Sequence, residues 1–340
     1  MKKIVLIFVA VMMMAFSSVC MAADGGDLNK DQKVAETFIS GITTEKVPYD
    51  KLVANIDNGL KKNFDAKAYD ALKNEVKTKF GDLKESKFYS FERFFQEMNR
   101  LGIKNVEIWT GPMHFYVDYN KNQSVEQLKE YAKKYDVKII GICPEQTNPK
   151  PNNVASPSRQ EDVYAYYCRM VDIAKEVNAQ HILITTGWAY YDESKEDAWN
   201  RSVEMMRKVC DYAKANDILV AIEALQPDES VLVNSVEQLK AYLDAVNHPQ
   251  LKVCIDFGAM ARVNNTIQDY FDAFGKDVIH THFVDGKPTG HLAWSDGTRD
   301  LKQDLLDLEA NGYDGYLSLE SVNSRYYEKP WTAEEKTLSA

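Results

Sequence analysis

Cysteine is scarce in this chain, with 5 in 340 residues, and no two stand at a spacing suited to zinc. That argues against a small fold held together by metal or by bridges. Cys143 and Cys254 lie inside the apolar runs "VKIIGIC" and "LKVCID" and read as small buried strand residues rather than disulfide partners. Cys168 and Cys210 complete the set outside the leader. There is no low-complexity tract, and no glycine-rich phosphate loop follows a first strand, which argues against a doubly wound nucleotide-binding sheet. Positive charge is in deficit, with 41 Lys and Arg against 51 Asp and Glu. An acidic surface repels phosphate backbones, so nucleic acid is not expected as a partner. The apolar run "IVLIFVAVMMMAF" is too short for a comfortable membrane span.

That run has a different meaning. Lys2 and Lys3 precede it, and "SSVCMAAD" follows it with small residues. A charged start, an apolar middle and a small-residue end make a secretory signal peptide over residues 1–22, with cleavage after Ala22 or Ala23. Ser17-Ser18-Val19 is a poor context for a lipid on Cys20. The expected location is periplasmic or secreted, with no stable membrane insertion after cleavage.

Residues 24–85 are short, lysine-rich amphipathic patterns such as "AKAYDALKNEVKTKFG", where Tyr69, Leu72, Val76 and Phe80 share a helical face. They predict a small helical appendage. From about residue 86 to 335 another rhythm holds. The apolar runs "KNVEIW", "VKIIGIC", "HILITT", "ILVAIE", "LKVCID", "VIHTHF" and "GYLSLE" alternate with helical patterns. Runs of this kind are strands buried on both faces. In "EDVYAYYCRMVDIAKEVNA", Val163, Tyr167, Met170, Ala174 and Val177 fall on one face. Seven such units predict an α/β fold, a (β/α)8 TIM barrel, with the remaining first strand within "LKESKFYSF" (83–91).

Active residues of such barrels stand at the C-terminal ends of strands. Four successive runs end on, or one residue after, a metal-capable side chain: Glu223, Asp256, His282 and Glu320. Each is about one βα repeat from the next, so the four belong side by side on one rim. Carboxylates plus an imidazole suit one divalent ion, Mn²⁺ first, with Mg²⁺, Co²⁺ or Zn²⁺ as the other candidates. His280, two residues before His282 on the same strand face, belongs one layer deeper, beneath the site or in the core.

The segments "AIEALQPDESVLVNS", "VCIDFGAM", "HTHFVDG" and "YLSLES" resemble the xylose-isomerase-like sugar isomerase and epimerase barrels, whose members include ketose 3-epimerases, fructoselysine epimerase, inosose dehydratase and endonuclease IV. The resemblance spans about residues 90–330. It implies that Glu223, Asp256, His282 and Glu320 hold one divalent metal ion. It implies that Glu223 and Glu320 also exchange the proton next to a carbonyl, and that Glu229 helps hold the substrate. The chain departs from the ketose 3-epimerases at two places. Ala259 stands where they carry a substrate-binding histidine, and Pro288, beside Lys287, where they carry an arginine. "DFGAMARVNNTIQDYFDAFG" is closer to the fructoselysine branch. His114, Asp285, Lys287, His291 and Trp294 are the further substrate-binding candidates, with Glu145 and Trp188 also on the rim. For Trp294 two readings stand, stacking on a sugar and packing a loop.

The function implied is a metal-dependent isomerase or epimerase working through an enediolate on a non-phosphorylated sugar or sugar derivative. A lyase, hydratase or deglycosidase acting on 3-keto-glycosides through the same metal is the alternative. A non-catalytic sugar-binding protein and a nuclease of the endonuclease IV type are the other readings, the last opposed by the charge and the leader. A small sugar is the expected partner, and homo-oligomerisation is left open.

Overall fold

Runs of β-branched and aliphatic residues make seven strands, and each pairs in parallel with the next. They are β1 (Asn105–Trp109), β2 (Lys138–Cys143), β3 (His181–Thr185), β4 (Leu219–Glu223), β5 (Leu251–Asp256), β6 (Val278–His282) and β7 (Tyr316–Ser318). The sheet order is the chain order, β1 to β7, and the strands curl into a nearly closed barrel. This is a computed structural model, and it describes residues 89–111, 115–146, 152–286, 291–321, 323–326 and 328–340. The signal peptide and the helical appendage expected over 24–85 lie outside the described residues. So does most of the segment proposed for a first strand. Its described end is not strand, because Tyr89 and Ser90 carry no regular structure and Phe91 opens a helix.

The helices are α1 (Phe91–Arg100), α2 (Val125–Lys134), α3 (Gln160–Glu176), α4 (Lys195–Ala215), α5 (Val236–Val246), α6 (Phe257–Arg262), α7 (Ile267–Phe274), α8 (Leu301–Ala310) and α9 (Trp331–Ser339). Local chemistry starts them. The hydroxyls of Ser124, Ser194 and Ser235 accept the backbone N–H three residues on. Thr266 and Asp269 form a reciprocal capping box. Each cap is worth about 1 kcal/mol. On α3, Val163, Tyr167, Met170 and Ala174 are fully buried and Val177 packs against the same core, as their spacing predicts.

Strand alternation sorts the apolar residues into two layers. Ile182, Ile184, Val220, Ile222, Val253 and Ile255 join the large core with the helices. Their alternates Leu183, Ala221 and Cys254, with Cys143, form a separate small cluster inside the barrel. Leu183, Ala221 and Cys254 lie two residues below the ends of their strands, and Cys143 ends β2. Small cysteines fit there, and all four described cysteines carry free thiols.

Candidate metal centre and active site

Parallel register brings the rim together. Asp256 and His282, the last residues of β5 and β6, are direct cross-strand partners, and Glu223 ends β4 opposite Thr185. Glu320 differs slightly from expectation. β7 stops at Ser318, so Glu320 stands two residues beyond the strand rather than at its end. The chain still turns its carboxylate into the cluster.

The hub is His282, whose side chain is 1% exposed. Its Nδ1 lies 3.1 Å from Glu223 Oε2, 3.8 Å from Asp256 Oδ2 and 2.9 Å from Glu320 Oε2. His291 enters from the loop after β6, with Nε2 3.2 Å from Asp256 Oδ2 and 3.2 Å from Glu320 Oε2. It does so in the left-handed conformation, at φ 53°. A non-glycine residue there costs about 1 kcal/mol, which the two carboxylates offset.

The electrostatics follow from burial and from this mutual pairing. Burial pushes the Glu223 carboxyl up to about 8, against the opposing pull of His282. Burial also pushes Glu320 upward, but the charges of His282 and His291 win and hold it at about 2. Burial opposes ionisation of Asp256, yet the neighbouring His282 and the hydrogen-bonded His291 hold its carboxyl below the ordinary carboxylate range. Burial disfavours the charged imidazoles, yet Glu320 and its neighbouring carboxylates hold His282 and His291 well above the usual histidine value. Two carboxyl groups of one cluster are therefore shifted in opposite directions.

The side chains fit a divalent cation. Glu223 Oε2, Glu320 Oε2 and His282 Nδ1 are buried and have no hydrogen-bond partner, although they approach one another within 2.9–3.1 Å. The distances are those of hydrogen bonds and the directions are not. Oxygen and imidazole nitrogen atoms gathered in this way match the donor set of Mn²⁺, Zn²⁺ and related ions.

Glu229 stands on the turn after β4, where its Oε2 accepts the Gln226 N–H at 2.9 Å; desolvation raises its carboxyl, which also feels the charges of His291, Asp256 and Glu320. Asp285 is 1% exposed. Its two oxygens accept the Gly297 and Arg299 N–H groups, at 2.8 and 3.0 Å, and so organise the loop that leads to α8. Trp294 is also 1% exposed. It packs on Phe283 with ring centroids 4.5 Å apart and donates its indole N–H to the Phe283 carbonyl, so the packing reading holds and the sugar-stacking reading does not. Ala259 is 3% exposed in α6 and offers no polar group. His114 and Lys287 lie outside the described residues, as does Pro288.

Two polar residues escaped the sequence reading. Glu107 stands in the middle of β1 with its side chain 6% exposed, and His181 opens β3. With His280 they place three metal-capable atoms within 4.8 Å of one another beneath the rim. The available signal was alternation. In "NVEIW", Val106 and Ile108 face the helices, which turns Glu107 toward the barrel axis. Burial opposes ionisation of Glu107, but His280 and His282 hold its carboxyl well below the usual range.

A family model described as xylose isomerase-like TIM barrel matches residues 95–339. The chain belongs to that family. It is 31% identical to the fructoselysine 3-epimerase of Escherichia coli O157:H7 over 244 residues, covering 70% of this chain and 88% of the relative. Such relatives are sugar epimerases, and epimerases are isomerases. Among solved structures, the apo 3-keto-D-glucoside 4-epimerase of E. coli superposes with a TM-score of 0.60 at 15% identity, covering 74% of this chain and 96% of that one. The IOLI protein, solved with a zinc atom bound, gives a TM-score of 0.60 at 18% identity, covering 74% and 92%. At these identities the two structures establish the fold.

Proposed function

We propose that this chain is a divalent-metal-dependent sugar epimerase or isomerase acting on a non-phosphorylated sugar or sugar derivative. The observation that carries the reading is His282 Nδ1 with one oxygen from each of Glu223, Asp256 and Glu320 within 3.8 Å. The kinship with fructoselysine 3-epimerase supports the substrate class. Mn²⁺ heads the candidates for the ion, with Mg²⁺, Co²⁺ and Zn²⁺ behind it, and the zinc in the IOLI structure supports a metal in this fold. Bound by these four side chains, the ion supplies electrophilic stabilisation of the oxygen charge that develops when a proton next to a carbonyl is removed.

The protein's own groups do the proton work. Glu320 accepts the proton from the carbon. Glu223 returns one from the other side. Acting from opposite sides of the carbon, the pair inverts it. His291 is placed to hold a substrate oxygen beside Asp256 and Glu320. Lys2, Lys3 and the apolar run behind them support an exported, periplasmic or secreted protein, where unphosphorylated sugars are the available pool. No helix of the described residues is long and apolar enough to cross a membrane.

A second outcome uses the same proton removal. Ala259 offers no polar group where the ketose 3-epimerases carry a substrate-binding histidine. Elimination from a 3-keto-glycoside is the reaction such a site would catalyse instead.

The test is solvent exchange. With Mn²⁺ in D₂O, the protein should place deuterium next to the carbonyl of a ketose or 3-keto-glycoside, and product analysis should show inversion. Glu223→Gln and Glu320→Gln should each abolish exchange. Loss of the glycosidic group would establish the elimination outcome, and exchange that survives both substitutions would overturn the reading.

A further inference from the structure

Glu107 lies below the rim, at the point where the ends of the described sheet meet. Its Oε2 accepts the hydroxyl of Ser318 at 2.8 Å, which ties β1 to β7. The same oxygen lies 2.9 Å from His280 Nε2 and 3.2 Å from His282 Nε2. Its Oε1 lies 3.6 Å from His181 Nε2. One carboxylate therefore faces three imidazoles and a hydroxyl, from β3, β6 and β7.

An ionised carboxylate only accepts hydrogen bonds, so a ring nitrogen turned toward it must carry the proton. A neutral imidazole protonated at Nε2 keeps its lone pair on Nδ1. In His282, Nδ1 is the atom that faces Glu223, Asp256 and Glu320. We infer that Glu107 is a positioning residue that fixes His282 in its Nε2–H form and so presents the Nδ1 lone pair to the metal. This rests on the metal-dependent reading above.

The alternative role for Glu107 is structural, as a staple between β1 and β7. The arrangement separates the two. The staple runs through Ser318, and the orientation of His282 runs through its own Nε2 contact. A carboxylate that accepts the far N–H of a ligating histidine also makes that histidine a better donor, and losing such a partner weakens metal binding by about 10–100-fold.

The experiment uses the full chain and begins with the wild type. Nitrogen-15 spectra of the Zn²⁺-loaded protein should show His282 with a protonated Nε2 and a metal-bound Nδ1. Metal on Nε2 with Nδ1–H would overturn the inference without any variant. Next, Mn²⁺ affinity is measured for wild type, Glu107→Gln and Ser318→Ala, with circular dichroism and melting to confirm folding. Glu107→Gln should weaken Mn²⁺ binding by about 10-fold or more, and Ser318→Ala should stay near wild type. Equal affinity in Glu107→Gln, or an equal loss in Ser318→Ala, overturns the positioning role and leaves the metal reading standing. Failure of the wild type to bind any divalent ion overturns both.

Discussion

His282 Nδ1 lies 2.9 Å from Glu320 Oε2, yet no hydrogen bond joins them. In the metal-free protein the carboxylates around His282 favour its protonated form, and burial keeps a proton on Glu223 up to about pH 8. A cation needs the lone pair of one and the anion of the other, so binding must expel protons. Calorimetry of Mn²⁺ binding at about pH 7, in buffers of different ionisation enthalpy, should show release of about two protons. The sign follows: affinity climbs as pH rises through about 8 and is lost toward acid pH. An affinity independent of pH across that window would contradict the assignment.

Asp256 has two tasks, one for each oxygen. Oδ2 faces the imidazoles, and Oδ1 accepts the Ala259 N–H at 2.5 Å as the cap of α6. Substitutions divide them. Asp256→Asn keeps an acceptor for the cap and removes the charge, and Asp256→Ala removes both. Both variants should lose metal binding, and Asp256→Ala should be less stable than Asp256→Asn by about 1 kcal/mol. Chemical unfolding of the two metal-free variants measures that difference. Equal stability would show that the cap contributes nothing there.

Glu223, Asp256 and His282 were legible because each ends a strand and Glu320 because it follows one by two residues, and buried parallel strands announce themselves as apolar runs. Register did the rest: after a shift at Val253/Cys254, β5 and β6 pair in step from Cys254 and His280 to Asp256 and His282. Glu107 was hidden by the same logic, since a single acid inside an apolar run gives no direction until the alternation of Val106 and Ile108 fixes it. Asp285 and Trp294 were misplaced for a different reason. A loop after a strand end lies near the rim in sequence, but this one folds back and uses both side chains internally, Asp285 on the Gly297 and Arg299 amides and Trp294 on Phe283. Such closure depends on loop geometry that local sequence does not carry.

Gly141 in β2 is a direct probe of the barrel interior. A Cβ there would stand 2.5 Å from His181 Nε2 and 2.7 Å from its Cε1. His181 is 2% exposed and its Nε2 also lies 3.6 Å from Glu107 Oε1, so the ring has little room to withdraw. Gly141→Ala should destabilise the protein by about 1–3 kcal/mol through overpacking. The displaced ring should also disturb the carboxylate that contacts His282, so weaker Mn²⁺ binding should accompany the stability loss. A variant as stable as wild type would mean that His181 can swing aside.

Glu334, in α9, carries a charge cost far from the metal site. Its Oε2 is buried without a hydrogen-bond partner, and burial raises its carboxyl from 4.5 to about 7, against a smaller opposing backbone hydrogen bond. The folded chain therefore holds a proton that the unfolded chain has released between about pH 4.5 and pH 7. In that window the unfolded state binds fewer protons, so stability falls as pH rises; the favourable contribution is complete below about 4.5 and gone above about 7. Glu334→Gln removes the ionisation while keeping the shape. It should stabilise the protein by about 1–2 kcal/mol at pH 8, allowing for partial solvent screening, and by almost nothing at pH 4. Melting curves of the two proteins across that range should converge at the acid end. A gain that does not change with pH would assign the effect to packing instead of charge.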